Sequence, residues 1–307
     1  MTGARDFKFG RRPPSNRPAL ALAPLLTGVV PAHPPAADYL ARLSAWAMLG
    51  NDQYGDCVAV TWANERREMT AELGGREVYP GIDQVIAFYR TQNPGFPAED
   101  NGMDIQTALE TLVKAGGPDG VKAVAFAKVD HTKPDEVAAA IAIFGQVWTG
   151  LTVLDANMDD FDAGRPWDYH AGSQVDGGHS VIVGGYGVGG TGALAGDQKF
   201  ITWAQETSFT DAFWAHEVEE CWVVVWPEHL GSAAFLDGVN LDILAADFAE
   251  LTGKPLPLPP SPTPVPVPPV PTPTPVPPEP VPPSNIAHFV KELIAEIERL
   301  AKKWLGL

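Results

Sequence analysis

Polar and apolar positions change period along this chain, and that change divides it. After Asn51-Asp52-Gln53-Tyr54-Gly55-Asp56-Cys57, the run Val58-Ala59-Val60-Thr61-Trp62-Ala63 continues at helical spacing to about Leu73, where Gly74-Gly75 ends it. Gly55-Asp56 supplies a tight lead-in, with Asp56 as the expected N-cap. The same spacing predicts helices over 81–90 and 105–114, the second closed by Gly116-Gly117-Pro118. Beyond them the period falls toward two. Residues 121–129 alternate as a strand, Pro134 opens a short helix to Phe144, and 147–154 is a strand. Residues 179–187 read as a strand that opens on a histidine and closes in a glycine turn. Residues 199–204 form a second strand that delivers Gln205-Glu206, and Glu220–Val225 has a buried-strand composition. A helix over 241–251 ends at Gly253. Helices first and strands later predict an α+β fold.

The flanks follow other rules. Residues 1–35 are proline-rich and are expected to wrap over a body spanning 36–253 rather than form elements of their own. Residues 254–283 form a linker: Pro255 to Pro283 holds 17 prolines in 29 residues. At about 3.1 Å per residue this is a polyproline spacer of up to roughly 90 Å. In residues 284–307, Ser284-Asn285 caps an amphipathic helix whose Ile286, Val290, Leu293, Ile297, Leu300 and Trp304 form a heptad seam. Such a seam implies self-association or a docking partner. Its polar face carries mixed charge, which disfavours a membrane surface.

Composition narrows the picture. With 307 residues and 45% apolar content, the chain can bury the core of one domain of about 200 residues plus appendages. A net charge of −17 excludes generic nucleic-acid binding by the folded body. Arg5, Lys8, Arg11, Arg12 and Arg17 against the single Asp6 make the first seventeen residues a basic arm, read as a solvated tail or as a docking arm for an acidic partner. No secretory signal or apolar run of spanning length is visible, so the expected location is cytoplasmic, or virion-associated if the chain is phage-encoded. The two cysteines, Cys57 and Cys221, are expected not to pair, because Cys57 carries candidate chemistry.

That chemistry starts from position. A thiol in the first helical turn faces unpaired N–H groups and the positive end of the helix dipole, which favours a nucleophilic thiolate. Downstream, the 179–187 strand brings a histidine and the next strand a side-chain amide.

In this order of cysteine, histidine and amide, the sequence resembles the papain-like cysteine peptidases, of a divergent bacterial or phage type. Gly55-Asp56-Cys57 stands where that family has Gly-Ser-Cys, and His179-Ser180-Val181-Ile182-Val183-Gly184-Gly185-Tyr186-Gly187 is similar to its His-Ala-Val-x-x-Val-Gly-Tyr-Gly strand. The family's Asn-Ser-Trp-Gly is replaced by Gln205-Glu206-Thr207-Ser208, with Trp203 or Trp214 left to shield the site. The resemblance implies a two-lobed fold, a helical lobe facing an antiparallel sheet lobe. It also implies a Cys57–His179–Gln205 triad, an oxyanion hole that uses Asn51 six residues before the nucleophile with Gln53 nearby, and a peptide or protein substrate. No cofactor or metal is implied.

Other chemistry fades on inspection. His170 and His216 open no such strand, the glycines of 185–190 precede no helix, and Asp155-Ala-Asn157-Met-Asp159-Asp160 has Asp160 where a calcium loop needs glycine. The expected function is a papain-like thiol hydrolase that cleaves peptide or isopeptide bonds. The rivals are a catalytically attenuated papain-like module, virion- or surface-attached and assembled through its terminal helix, and an acyl transferase on the same triad.

Overall fold

The structure is a computed structural model that describes residues 7–28, 31–187 and 198–256. They belong to one of the chain's two units, Met1–Pro259. The linker from residue 257 onward and the 284–307 helix lie outside the described residues.

After the short strand β1 (Ala37–Asp38) comes α1 (Cys57–Glu72), and then α2 (Ile82–Tyr89) and α3 (Ile105–Lys114). The sheet follows, with helices between its strands: β2 (Ala125–Val129), α4 (Pro134–Phe144), β3 (Val147–Leu154), α5 (Asp155–Asp162), β4 (Val175–Tyr186), β5 (Gln198–Thr202), β6 (Gln205–Phe209), α6 (Asp211–Glu217) and β7 (Val218–Val225). Helices α7 (Ala233–Gly238) and α8 (Leu241–Thr252) close the described part. The sheet is antiparallel throughout, in the order β2-β7-β3-β4-β5-β6, with β1 paired to β4.

Strand alternation builds two cores on one sheet. Trp148, Trp222 and Val224 point toward α1, α2 and α3. Their strand neighbours Val147, Cys221, Val223 and Val225 point the other way, toward α4 and the Phe200–Phe209–Phe213 stack. Helix α1 is therefore enclosed on all sides, and from Cys57 to Thr70 every residue is buried. A helix buried all round must settle its charges internally. Arg66 does so against Asp119 at 2.9 Å and Glu228 at 2.8 Å, with its guanidinium 4.4 Å from the Trp226 ring centroid. Arg67 reaches Glu77 at 2.6 Å and the Ser44 carbonyl at 2.8 Å.

Three expectations on the body need revision. The 121–129 strand begins only at Ala125, because Val121 closes a turn back onto Gly117. Asp56 does not cap α1: its side chain is buried without a cap bond. The 179–187 strand begins earlier, at Val175, so His179 lies within it rather than opening it.

The largest revision concerns the basic arm, whose described part, from residue 7, is no solvated tail. Leu20 and Leu22 pair with Lys128 along the outer edge of β2, so the arm covers an otherwise open sheet edge. Arg17 lies 3.2 Å from both Asp104 and Glu110. The acidic partner of the arm is the body of its own chain.

Candidate active site

Cys57 is the first residue of α1, delivered by a loop that is held in place from outside. Gly55 donates its N–H to Asp100, at 3.0 Å to Oδ1, and the Tyr89 hydroxyl donates to the same oxygen at 2.5 Å. His179 lies in β4 beside Ser180. The Ser180 hydroxyl takes the Trp148 indole N–H at 2.7 Å and lies 3.0 Å from the Thr61 hydroxyl of α1, so helix and strand are pinned together one turn beyond the cysteine. The Ser180 N–H also faces the Cys57 sulfur. The fold thus sets Cys57 against the β4 backbone at Ser180, the residue next to His179.

It does not bring Gln205 to them. The imidazole Nε2 is bonded instead to the Thr202 hydroxyl at 2.8 Å. Strand β5 stops at Thr202, and Trp203-Ala204 form a two-residue turn with φ of 42° and 62°. A type I′ hairpin turn needs positive φ at both central residues, which costs non-glycine residues about 1–3 kcal/mol each. Trp203 is held there by stacking, 4.8 Å from His179 and 4.3 Å from Phe7. The turn carries Gln205 onto β6, across from Thr202, with its side chain exposed.

The expected oxyanion residues also sit differently from expectation. Asn51 is buried in the lead-in loop, its amide directed to the Tyr54 carbonyl at 3.4 Å and to Asp56. Gln53 is exposed.

Electrostatics reverse the thiolate expectation. Burial pushes the Cys57 thiol up to about 11, reinforced by Asp56 and opposed by the Gly10 and Ser180 N–H groups and by Arg11. Burial, with the Arg11 charge second, brings His179 down to about 3. Nδ1 of His179 has no hydrogen-bond partner among the described residues. At neutral pH the site holds a neutral thiol and a neutral imidazole. The helix dipole is present, but desolvation outweighs it. Asp56, itself raised to about 8 by burial, is mostly protonated at pH 7 and adds little charge there.

The cover that causes much of this burial is the arm. Residues 7–12 run as an extended segment between the 100–103 loop and β4. Arg11 donates its N–H to the Gly178 carbonyl at 3.0 Å, Met103 donates to the Gly10 carbonyl at 2.7 Å, and Arg12 donates to the Met103 carbonyl at 2.8 Å. Gly10 lies over the cysteine, where a Cβ would collide with the Gly55 carbonyl oxygen. Phe9 meets the His179 ring edge-on at 6.1 Å. The alternation Phe7, Phe9, Arg11 inward with Lys8 exposed was a period-two signal in the sequence, hidden inside a segment set aside for its prolines.

No protein-family profile matches the chain, and no curated protein matches it in sequence. Solved structures do. Xylellain, a cysteine protease from Xylella fastidiosa, superposes with a TM-score of 0.55 at 13% identity, over 74% of this chain and 98% of that one. This chain has the papain-like fold. A procathepsin B from Trypanosoma congolense matches at a TM-score of 0.48 and 13% identity, over 71% of this chain and 80% of that one. Within the papain-like frame, the imidazole partner expected as an amide is a threonine hydroxyl, and Trp203, one of the two tryptophans expected to shield the site, stacks on His179. Trp214 is engaged elsewhere, donating to the His131 carbonyl at 2.9 Å.

Proposed function

We propose that this chain is a thiol hydrolase of peptide or isopeptide bonds, with Cys57 as nucleophile and His179 as general base, held closed by residues 7–12. The observation that carries this reading is the groove itself. It already binds an extended polypeptide by backbone hydrogen bonds from both walls, directly over a helix-terminal cysteine and next to a histidine. In the reaction Nδ1 of His179 takes the thiol proton, which requires the other nitrogen to keep its hydrogen. Donation from Nε2–H to the Thr202 hydroxyl fixes that tautomer, so Thr202 is a positioning residue. The thiolate attacks the carbonyl carbon, and the Cys57 N–H and the Asn51 amide, once turned from Tyr54, receive the oxyanion. The imidazolium then returns its proton to the leaving amine.

The arm is not presented as a substrate. Its Gly10 N–H faces the sulfur and its Gly10 carbonyl is committed to Met103, so no carbonyl carbon is offered to Cys57. Opening the groove exposes the pair to water, which lowers the thiol pKa and raises that of the imidazole. A full-length Gly10→Val chain, whose arm no longer fits beneath Gly55, tests the reading. Digestion of a peptide mixture by this variant, with termini read by mass spectrometry, is expected to give new cleavages absent with Gly10→Val/Cys57→Ala. Identical peptide patterns from the two would overturn it.

A second reading has its own support: among the described residues no hydrogen bond joins Cys57 to His179, as befits a binding module that has lost its chemistry. It predicts an inert Cys57 even with the groove open.

A further inference from the structure

Among the described residues Arg11 is the buried charged side chain of the arm, and what encloses it is built by the body. Its side chain is 2% exposed. One terminal nitrogen lies 3.3 Å from Glu220, and the other donates to the Leu151 carbonyl at 3.2 Å and to Glu219 at 2.5 Å. Two consecutive residues of a regular strand face opposite ways. Here they converge, because the β3–β7 register slips between Gly150 and Leu151: Gly150 pairs with Glu220 but Leu151 with Val218, leaving Glu219 as the extra residue of a bulge. Space for the incoming side chain comes from Gly150, where a Cβ would stand 2.8 Å from the Arg11 Cδ and 2.7 Å from the Glu220 Cγ.

The two carboxylates do not depend on the arm for their positions. The Thr152 hydroxyl holds Glu219 at 2.8 Å, and the Trp222 indole N–H holds Glu220 at 2.8 Å. A bulge, a glycine and two body-derived donors therefore aim paired acids into the groove, a few residues from the cysteine. With the arm away, Glu219 and Glu220 would keep these donors and lose the cation they face. Two adjacent carboxylates pre-positioned at one pocket attract a cation of matching geometry in place of Arg11. Three acceptors arranged around two terminal nitrogens suit the planar fork of a guanidinium better than the single point of an ammonium.

We infer that the Glu219–Glu220 pocket is a subsite for an arginine side chain of a peptide bound in the groove, which Arg11 of the arm fills while the groove is closed. This rests on reading the groove as the substrate cleft, and it adds the chemistry by which that cleft selects its occupant.

The test is binding in trans to full-length Gly10→Val and, should that variant fold poorly, to full-length Arg11→Gln. The probe is a synthetic peptide of residues 5–17, compared by calorimetry with the same peptide carrying glutamine or lysine at position 11. The arginine peptide is expected to bind at least about tenfold more tightly than the glutamine form, with lysine between them. Adding Glu220→Gln to the chain is expected to remove that preference. Equal binding of the three peptides, or a preference that survives Glu220→Gln, would overturn the inference, as would no binding by a chain whose Cys57 reacts freely with iodoacetamide. Failure here and failure of the hydrolase reading separate cleanly. Arginine-dependent binding with an inert Cys57 retains the subsite and removes the hydrolase, whereas cleavage without arginine preference does the reverse.

Discussion

Cys57 and Cys221 look alike by burial and differ in what buries them. Both are enclosed, at 1% and 0% exposure, and burial pushes both thiols up, to about 11 and about 12. Cys221 is covered by the sheet and its apolar core, with the Thr149 hydroxyl at 3.9 Å and the Trp222 N–H beside its sulfur. Uncovering it would mean unfolding the protein. Cys57 sits in the helical core and against the β4 backbone at Ser180, and residues 7–12 cross over it with the Gly10 N–H facing its sulfur. On the proposed reading, the core silences one thiol and a strap that can leave silences the other. The lesson is that a raised thiol pKa marks an inert cysteine only when the group doing the burying cannot leave.

The contrast can be broken at several points, and the largest effect is expected at the base. In the opened Gly10→Val chain, His179→Ala should lower peptide hydrolysis by about 10²–10⁴-fold, the range typical of a general base, while leaving Cys221 untouched. A loss of less than threefold in kcat/KM would remove His179 from the mechanism. Thr202→Val comes next. Without the hydroxyl the imidazole loses its only bonded partner among the described residues, and kcat should fall by about tenfold, with Thr202→Ser restoring most of it. A fall shared equally by the valine and serine variants would point to packing rather than to the hydroxyl.

The third effect falls on stability. Asp56 is raised to about 8 in the folded state against an ordinary value of 3.8, so the native protein holds a proton that the unfolded chain releases. Stability therefore falls as pH rises from about 4 to about 8, and then levels. Burial also raises Glu65 to about 8 and Glu68 well above the ordinary carboxylate range, so Asp56→Asn should lessen that slope and raise stability at pH 8 by about 1–3 kcal/mol, measured by denaturant unfolding at pH 5 and pH 8. An unchanged difference between the two pH values would show that this carboxyl is not the group responsible. The smallest effect is expected at Gln205→Ala: its exposed side chain lies outside the site, and kcat/KM should stay within about twofold of the parent.

That last pair, Thr202 and Gln205, shows where the sequence could be read and where it could not. Helix α1 with its cysteine at the first position was legible from its lead-in and its Gly74-Gly75 end, and α3, α4, β3 and the strand bearing His179 from an apolar period and a clear terminator. The third site residue depended on where β5 ends, and nothing in Lys199–Ala204 says that the chain turns after Thr202 using two non-glycine residues. The turn is paid for by Trp203 stacking on His179 and Phe7, contacts between segments far apart in sequence. The arm escaped for a related reason. Its prolines and charges fit a tail, and only the tertiary structure supplies Glu219 and Glu220, brought to one side by a bulge that strand alternation cannot foresee. Asp56 was misread as a cap because its residue type suits the position, whereas the lead-in loop, clamped by Asp100, buries it.

The central claim is that the segment 7–12 masks a nucleophile, and the rate of iodoacetamide alkylation at Cys57 across pH tests it most directly. It would be followed by mass spectrometry in the full-length wild type and in Gly10→Val, with Cys221 as internal control. The account predicts slow, high-pH reaction of both cysteines in the wild type. In the variant, Cys57 alone should accelerate by at least about 10²-fold at pH 7, its profile moving to or below the free-thiol value of about 8.5. Equal, slow labelling of Cys57 and Cys221 in a folded Gly10→Val chain would contradict it.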